Sequence, residues 1–584
     1  MRLLILYASQ TGTAQDVAEQ IWRESRQWGF AGPVVSIEDY DIQQLVGEHL
    51  VVFVVATTGD GVEPDTMKQA WRFLLKRSLP KTSLMHMQYA CLGLGDSSYT
   101  KFNFAAKKLD KRLQNLGAVP VCPLGLCDDQ HDYGYLGASL PWIEGLWISL
   151  KSTLGLGKRN QSLAVNKYLL ERDSSPQVQL QDHENKLLWN QKHVSHNFVL
   201  EENSRTTPEN HFQDVRLLRL VNESPDQILT WQPGDIVELQ PHNSMENVEK
   251  FFEILSEYNL GFGPATVVRV TQSHSDLVLP QAYASSISLR NAAKYVWDLC
   301  ARPRQRFFEV LAQNCTDEME QTKLLEFSTA VGLEDLISYV NRPRRWILEV
   351  LQDFPNATAR LTLEQLFEMM PLIQTRSFSI ASDSSTRSLD LLVAVVQYKT
   401  ILQSPRLGLC SNWMKNLPSG IIIKGAIKPA TMTWPKDLTT PMILVATGTG
   451  IAPLRCLLQQ RAHAKIAEGC EIGPLVVFFG CRNKTSDFHF EDDFNKWLEV
   501  GLIESHFAFS RDGADKVYVQ HLIKQQKEHI SDLIKKQNAS VYVVGSSNSM
   551  PKSVKEAFIE SLDGDSDYID EMIKRRRYQE ETWS

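Results

Sequence analysis

The first residues able to do chemistry are Ser9, Thr11, Gly12 and Thr13, in the stretch LLILYASQTGTAQDVAEQI from Leu3 to Ile21. Leu3 to Leu6 is an apolar run too short for a helix and bounded by turn residues, so it reads as a buried strand. Ala14, Val17, Ala18 and Ile21 follow at helical spacing. The loop between them presents backbone N–H groups and hydroxyls at a helix N-terminus, where partial positive charge favours a phosphate. It has neither G-x-G-x-x-G nor G-K-[ST], so it is not a dinucleotide fingerprint or a P-loop. Without a cationic side chain it suits a terminal phosphomonoester held by neutral donors. An ordinary strand-to-helix turn capped by Thr13 fits the same residues.

Further loops of small residues follow further strands. HLVVFVVATT (His49 to Thr58) ends in Gly59-Asp60-Gly61, YACLGLGDSSY (Tyr89 to Tyr99) ends in a small-residue loop, and VPVCPLGLCDDQ ends at Asp128-Asp129. In a doubly wound parallel sheet, loops at the carboxyl ends of strands gather at one crevice. Residues 1–150 are therefore expected to hold one ligand among four loops. Residues 151–193 are polar and read as a linker or hinge. Residues 194–435 read as an antiparallel barrel, with a helical insertion over about 243–339, and residues 436–584 return to α/β.

The 584 residues leave room for about three or four domains. An apolar content of 43%, a charged content of 22% and a net charge of −8 describe a soluble globular chain and argue against generic nucleic-acid binding. The longest apolar runs, LVVFVVA and LLVAVV, are strand-sized. A core strand beginning at Leu3 leaves no room for a signal peptide or membrane anchor. Nine cysteines without a framework fit reduced thiols in the cytoplasm. Cys122, Cys127 and His131 lack a second ligand pair at zinc spacing, so no metal is expected. The basic run Lys574 to Arg577 reads as a solvated helix face.

The order of motifs is more specific than any one of them. After the first domain come RSFSIAS, GLCSNW, GTGIAP, GCRN, SRDGADKVYVQ and a terminal ETWS. This order resembles the diflavin reductases, the family of cytochrome P450 reductase, across essentially the whole chain. The resemblance implies a flavodoxin-like domain, an FAD-binding antiparallel β-barrel with a helical insertion, and a doubly wound NADPH-binding domain. It implies FMN on the first loops: Ser9, Gln10, Thr11, Gly12, Thr13 and Ala14 for the phosphate, then Thr57, Thr58, Gly59 and Asp60, with Gly59 or Gly61 able to turn a peptide toward the ring. The third loop supplies Leu94, Gly95, Asp96, Ser97, Ser98, Tyr99, Thr100, Lys101, Phe102 and Asn103, with Asp129 beyond and Tyr99 as the stacking aromatic. For FAD it implies Arg344, Arg376, Ser377, Phe378 and Ser379, and the run Gly408, Leu409, Cys410 and Ser411.

For NADPH the resemblance implies Thr449 in the Gly-rich turn, and Arg482. Ser510, Arg511 and Lys516 are implied for the ribose 2′-phosphate. Val517, Tyr518, Val519 and Gln520 would extend as a strand toward the adenosine, with Ser553 nearby. Ser379, Glu581 and Trp583 are implied at the hydride-transfer site, Trp583 as the ring that shields FAD. Departures from the P450-reductase pattern are Thr58 for a second stacking aromatic, Phe378 for Tyr, Val544 for Cys and Glu581 for Asp. Within the family, short length and no anchor point to the branch of cytosolic iron–sulfur protein assembly, whose acceptor is the iron–sulfur protein anamorsin. Cytochrome P450, methionine synthase or sulfite reductase types remain as alternatives, as does a non-catalytic scaffold. Asp60, Glu63, Asp65, Asp96, Asp128, Asp129 and Asp132 suggest an acidic rim for the acceptor, with the helix charges of Lys107 to Arg112 directed away from it.

Overall fold

The computed structural model describes the chain except residues 59–60, 100, 158, 161–164, 174–193, 225 and 584. Gly59, Asp60 and Thr100 of the expected FMN loops thus lie outside the described residues. The chain divides into two compact units.

The first unit takes in residues 1–188, 243–374 and 400–402. Its parallel sheet comprises β1 (Leu4–Ala8), β2 (Val34–Ser36), β3 (Leu50–Ala56), β4 (Gln88–Gly95), β5 (Val119–Pro120) and β6 (Gly125–Asp128). The spatial order is β2-β1-β3-β4-β5, with β6 also paired to β4. β3 is buried along nearly its whole length because helices cover both faces of the sheet, which explains the unbroken apolar run LVVFVVA. The strand order reverses between β1 and β3, and this switch point opens a crevice at the carboxyl ends. The loops after β1, β3, β4 and β6 all leave that edge.

The remainder of this unit is mainly helical, from Met245–Ser256 to Leu363–Met369. The helical run therefore ends well beyond the expected Tyr339. Ile347, Leu351, Leu366 and Phe367 continue the core built around Trp297, so the later helices belong to one packed body. The expected linker needs a second correction. Tyr168–Arg172 within it is a strand, paired antiparallel with Val267–Gln272. Lys167 beside that strand bonds Glu19 at 2.8 Å, and its backbone N–H donates to Glu368. Arg306 pairs with the same Glu368 at 2.9 Å. Arg26 and Asp276 form another ion pair between the flavodoxin-like sheet's first helix and the helical body.

The second unit takes in residues 189–242, 375–399 and 403–584. Six antiparallel strands run in the order Arg376–Ser379, Ile236–Leu239, Ile422–Lys428, His196–Arg205, Val215–Asn222 and Ser388–Ala394. A bridge between Ile380 and Leu391 joins the two ends into a near-barrel around Phe198, Leu218, Val237 and Leu391. A parallel sheet follows, formed by Met442–Thr447, Leu475–Cys481, Glu504–Phe509, Ser540–Ser546 and Tyr578–Trp583. Numbered from Met442–Thr447, its order is 3-2-1-4-5, again doubly wound. Among the described residues no helix is long and apolar enough to cross a membrane.

Candidate flavin and NADPH sites

In the first unit, Gly12 has φ +87 and caps the helix Thr13–Gln27 with no side-chain cap bond. Thr13 is therefore helical and not the cap, and its hydroxyl is spared for other work. Ser9 Oγ accepts from the Gly12 N–H at 2.9 Å, which fixes the loop and leaves the serine proton free to donate outward. Gln10 and Thr11 are exposed at its tip, and Ala14 is buried beneath it. This set of outward N–H and O–H donors fits a phosphomonoester.

The neighbouring loops form the rest of the crevice. Thr57 N–H donates to Leu94 O at 2.8 Å, tying the β3 loop to the end of β4. Thr57 Oγ1 is buried without a partner among the described residues, a polar atom that a ligand would satisfy. Thr58 and Val62 exchange two backbone bonds. Gly61 there has φ +72, and a Cβ would lie 2.3 Å from Lys101 Cβ, so only glycine fits. Gly95 is equally confined, by Asn103. Asn103 itself is fully buried and donates to Cys127 O at 2.8 Å, joining two loops from within. Tyr99 is half-buried on the turn after Ser97 and Ser98, while Lys107 Nζ donates to Phe102 O.

The acidic loops are less uniformly available than expected. Asp96 accepts from Ser98 N–H and Gln130, and Asp128 from Ser97 N–H and Gln130 N–H. Burial opposes charge on Asp128, but these bonds outweigh it and hold its carboxyl below the ordinary value. Asp129 is pushed up by burial and by Asp96 and Asp128. Glu63 faces Lys108 at 3.5 Å, and Asp65 pairs with Lys68 at 2.6 Å. The helix holding Lys107 to Arg112 thus returns one positive charge to the rim. Asp132 is exposed.

In the second unit, Arg376, Ser377, Phe378 and Ser379 form one strand, with Phe378 opposite Val237. Gly408 N–H donates to Val396 O, and a Cβ at Gly408 would lie 2.7 Å from Val396 Cβ. Ser411 Oγ accepts from Val396 N–H at 3.0 Å, so its hydroxyl braces the turn before the helix Leu409–Lys415. Cys410 is buried, and burial pushes its thiol up to about 12. Arg344, with φ +55, belongs to the first unit. Arg406, 1% exposed just before Gly408, is a buried guanidinium that no motif marked.

Ser379 also meets the last strand. Burial raises the Glu581 carboxyl there to about 7, while Ser379 favours its charged form. Glu581 Oε2 is buried without a partner among the described residues. Val544 and Glu581, two of the departures, are register neighbours in adjacent strands, and Trp583 lies opposite Ser546 at the strand end, 37% exposed. Gly450 packs against the same strand, where a Cβ would lie 2.6 Å from Val544 O. Thr449 sits half-buried on the turn Gly448–Gly450 that opens the helix Ile451–Ile466, and Ser553 half-buried on the helix Met550–Ser561.

Arg482 and the loop from Ser510 share one rim. Arg511 N–H donates to Arg482 O at 2.8 Å, and Ser510 N–H to Cys481 O at 3.0 Å. Arg511 and Lys516 are exposed and form no ion pair among the described residues, so both charges face solvent together. The guanidinium of Arg482 lies 3.6 Å over the ring of Phe212, an exposed aromatic that the sequence reading missed. The expected strand through Val517, Tyr518, Val519 and Gln520 is not formed. Tyr518 caps the helix Val519–Gln525, because Val519 and Ile523 bury one helical face.

Family models match as flavodoxin over residues 5–142, FAD binding domain over 192–413 and oxidoreductase NAD-binding domain over 444–556. The chain is 41% identical to NADPH-dependent diflavin oxidoreductase 1 of Danio rerio and 40% to that of Xenopus laevis, over 100% of this chain and 99% of each relative. It is 34% identical to the Schizosaccharomyces pombe protein of the same name with the same coverage. FMN, FAD and NADPH are its cofactors. The chain belongs to the NADPH-dependent diflavin oxidoreductase family, enzymes that pass electrons from NADPH through FAD and FMN to a protein acceptor.

Proposed function

We propose that this enzyme delivers single electrons to an anamorsin-type iron–sulfur protein in cytosolic iron–sulfur cluster assembly, using the residues assigned above. Bound NADPH and flavins supply the hydride and one-electron chemistry, and the protein supplies position, shielding and charge. Ser9 to Ala14 hold the FMN phosphate, with Thr57, Thr58 and Tyr99 beside the ring. Thr58 cannot stack, so one ring face is left more open to an acceptor. Arg376 and Gly408 to Ser411 serve the FAD pyrophosphate. Ser510, Arg511 and Lys516 bind the 2′-phosphate, which separates NADPH from NADH.

Half-buried Glu581, with its buried Oε2 and with Ser379 beside it, carries the hydride-transfer assignment. A carboxyl poised near neutrality, with one oxygen unpartnered, can offset positive charge that appears as hydride leaves a nicotinamide. Trp583 at the adjoining strand end is placed to guard that position. Nine cysteines with no disulfide among the described residues support a reducing, cytoplasmic setting. The test is stopped-flow reduction of a purified anamorsin-type acceptor by the NADPH-reduced enzyme, beside a cytochrome P450 and a methionine synthase. Preference for either of the latter two would reject the acceptor assignment.

A further inference from the structure

The phosphate loop Ser9 to Ala14 has no cation of its own, and Asp16 in the first turn of its helix opposes a dianion. Arg304, nearly three hundred residues later in the chain, compensates for both. It stands immediately before the helix Gln305–Ala312 of the helical insertion, within the same unit as the loop. Its Nη1 donates to Gly12 O at 3.1 Å, and its Nη2 lies 3.4 Å from Thr13 Oγ1. The same guanidinium is 3.6 Å from Asp16 Oδ2. Gln374 approaches from the same body, with its amide 3.9 Å from where a Gly12 Cβ would stand.

Hydrogen-bond accounting gives this contact a direction. A threonine hydroxyl has one proton to donate. Left alone, Thr13 can give it to a nearby backbone carbonyl, as helical threonines do. A guanidinium donating into Oγ1 occupies the acceptor side and turns the proton outward. Ser9, accepting from Gly12 N–H, is set in the same sense. Arg304 also offsets the Asp16 charge, and its bond to Gly12 O braces the left-handed glycine on which the loop turns.

We propose that Arg304 is a positioning residue for FMN: from the helical insertion it orients the Thr13 hydroxyl toward the phosphate and supplies the charge that the flavodoxin-like loop lacks. This rests on the reading of Ser9 to Ala14 as the phosphate loop. A flavodoxin-like domain separated from its insertion would then hold FMN more weakly than the full chain.

The test is fluorescence titration of FMN-depleted, full-length protein with FMN and with riboflavin, which lacks the phosphate. Arg304→Ala is expected to raise the FMN Kd roughly tenfold or more, the scale of a lost charged hydrogen bond. Riboflavin binding and FAD content should hold. Thr13→Val should weaken FMN similarly, and the double variant should bind about as well as the weaker single. Arg304→Lys, which keeps the charge but loses the fork, should fall between, and it serves alone if Arg304→Ala does not fold. Full FMN affinity in Arg304→Lys, multiplicative loss in the double variant, or equal loss for riboflavin would overturn the proposal. If Thr13→Val weakens FMN while Arg304→Ala does not, the loop assignment stands and the proposal fails. If neither changes FMN binding, the loop assignment itself is wrong.

Discussion

Replacing Glu581 by Gln keeps the side chain's shape and removes its titration. Burial raises this carboxyl from 4.5 to about 7, against the opposing influence of Ser379. At about 1.4 kcal/mol per pH unit, charging it costs about 3 kcal/mol more in the fold than in water. A positive charge developing beside the carboxylate recovers part of that cost, so the charged form should accelerate hydride transfer by up to roughly a hundredfold. The sign for stability is opposite. Because the folded value is raised, the carboxyl's contribution is present below pH 4.5 and lost as pH rises through about 7. Rapid mixing with NADPH, followed by flavin bleaching from pH 5.5 to 8.5, should show a rate rising with a midpoint near 7. Glu581→Gln should flatten that step at the low rate, and should lose less thermal stability than wild type between pH 5 and 8. A step of unchanged midpoint and height in the variant would show that Glu581 is not the group that titrates.

Other outcomes follow from the remaining geometry. Arg511→Ala should raise KM for NADPH about ten- to a hundredfold and leave NADH nearly untouched, measured by steady-state kinetics with both coenzymes. Truncation after Thr582 should improve NADH turnover, since Trp583 then no longer occupies the strand end; unchanged NADH kinetics would remove its gating role. Neutralising Glu63, Asp65 and Asp132 together should slow acceptor reduction and weaken its salt dependence, while flavin reduction by NADPH is unaffected. Since Lys108 and Lys68 already face Glu63 and Asp65, Asp132→Asn alone should account for most of the effect.

Features made by neighbours in sequence were readable; those made by distant partners were not. The apolar runs of β1 and β3 announce strands buried on both faces, and GTGIAP announces a close strand-to-helix turn. Arg304 carries no local signal, because its partners Gly12 and Thr13 lie nearly three hundred residues away in the chain. Arg482 was legible from GCRN, whereas Phe212 beneath it was an unremarkable loop residue. The strand Tyr168–Arg172 was hidden because its alternation is weak and its partner Val267–Gln272 is remote. The resemblance implied a strand through Tyr518 to Gln520, yet the spacing of Val519 and Ile523 favours a helix once both are buried.

Two flavins in this chain, we propose, relay electrons from NADPH to an iron–sulfur acceptor. That relay is tested most directly by mixing the NADPH-reduced, full-length enzyme with an anamorsin-type protein and following the acceptor's cluster absorbance in a stopped-flow cell. Rapid cluster reduction is expected, disappearing on selective removal of FMN and returning when FMN is restored. Cluster reduction that continues at the same rate without FMN would contradict the relay.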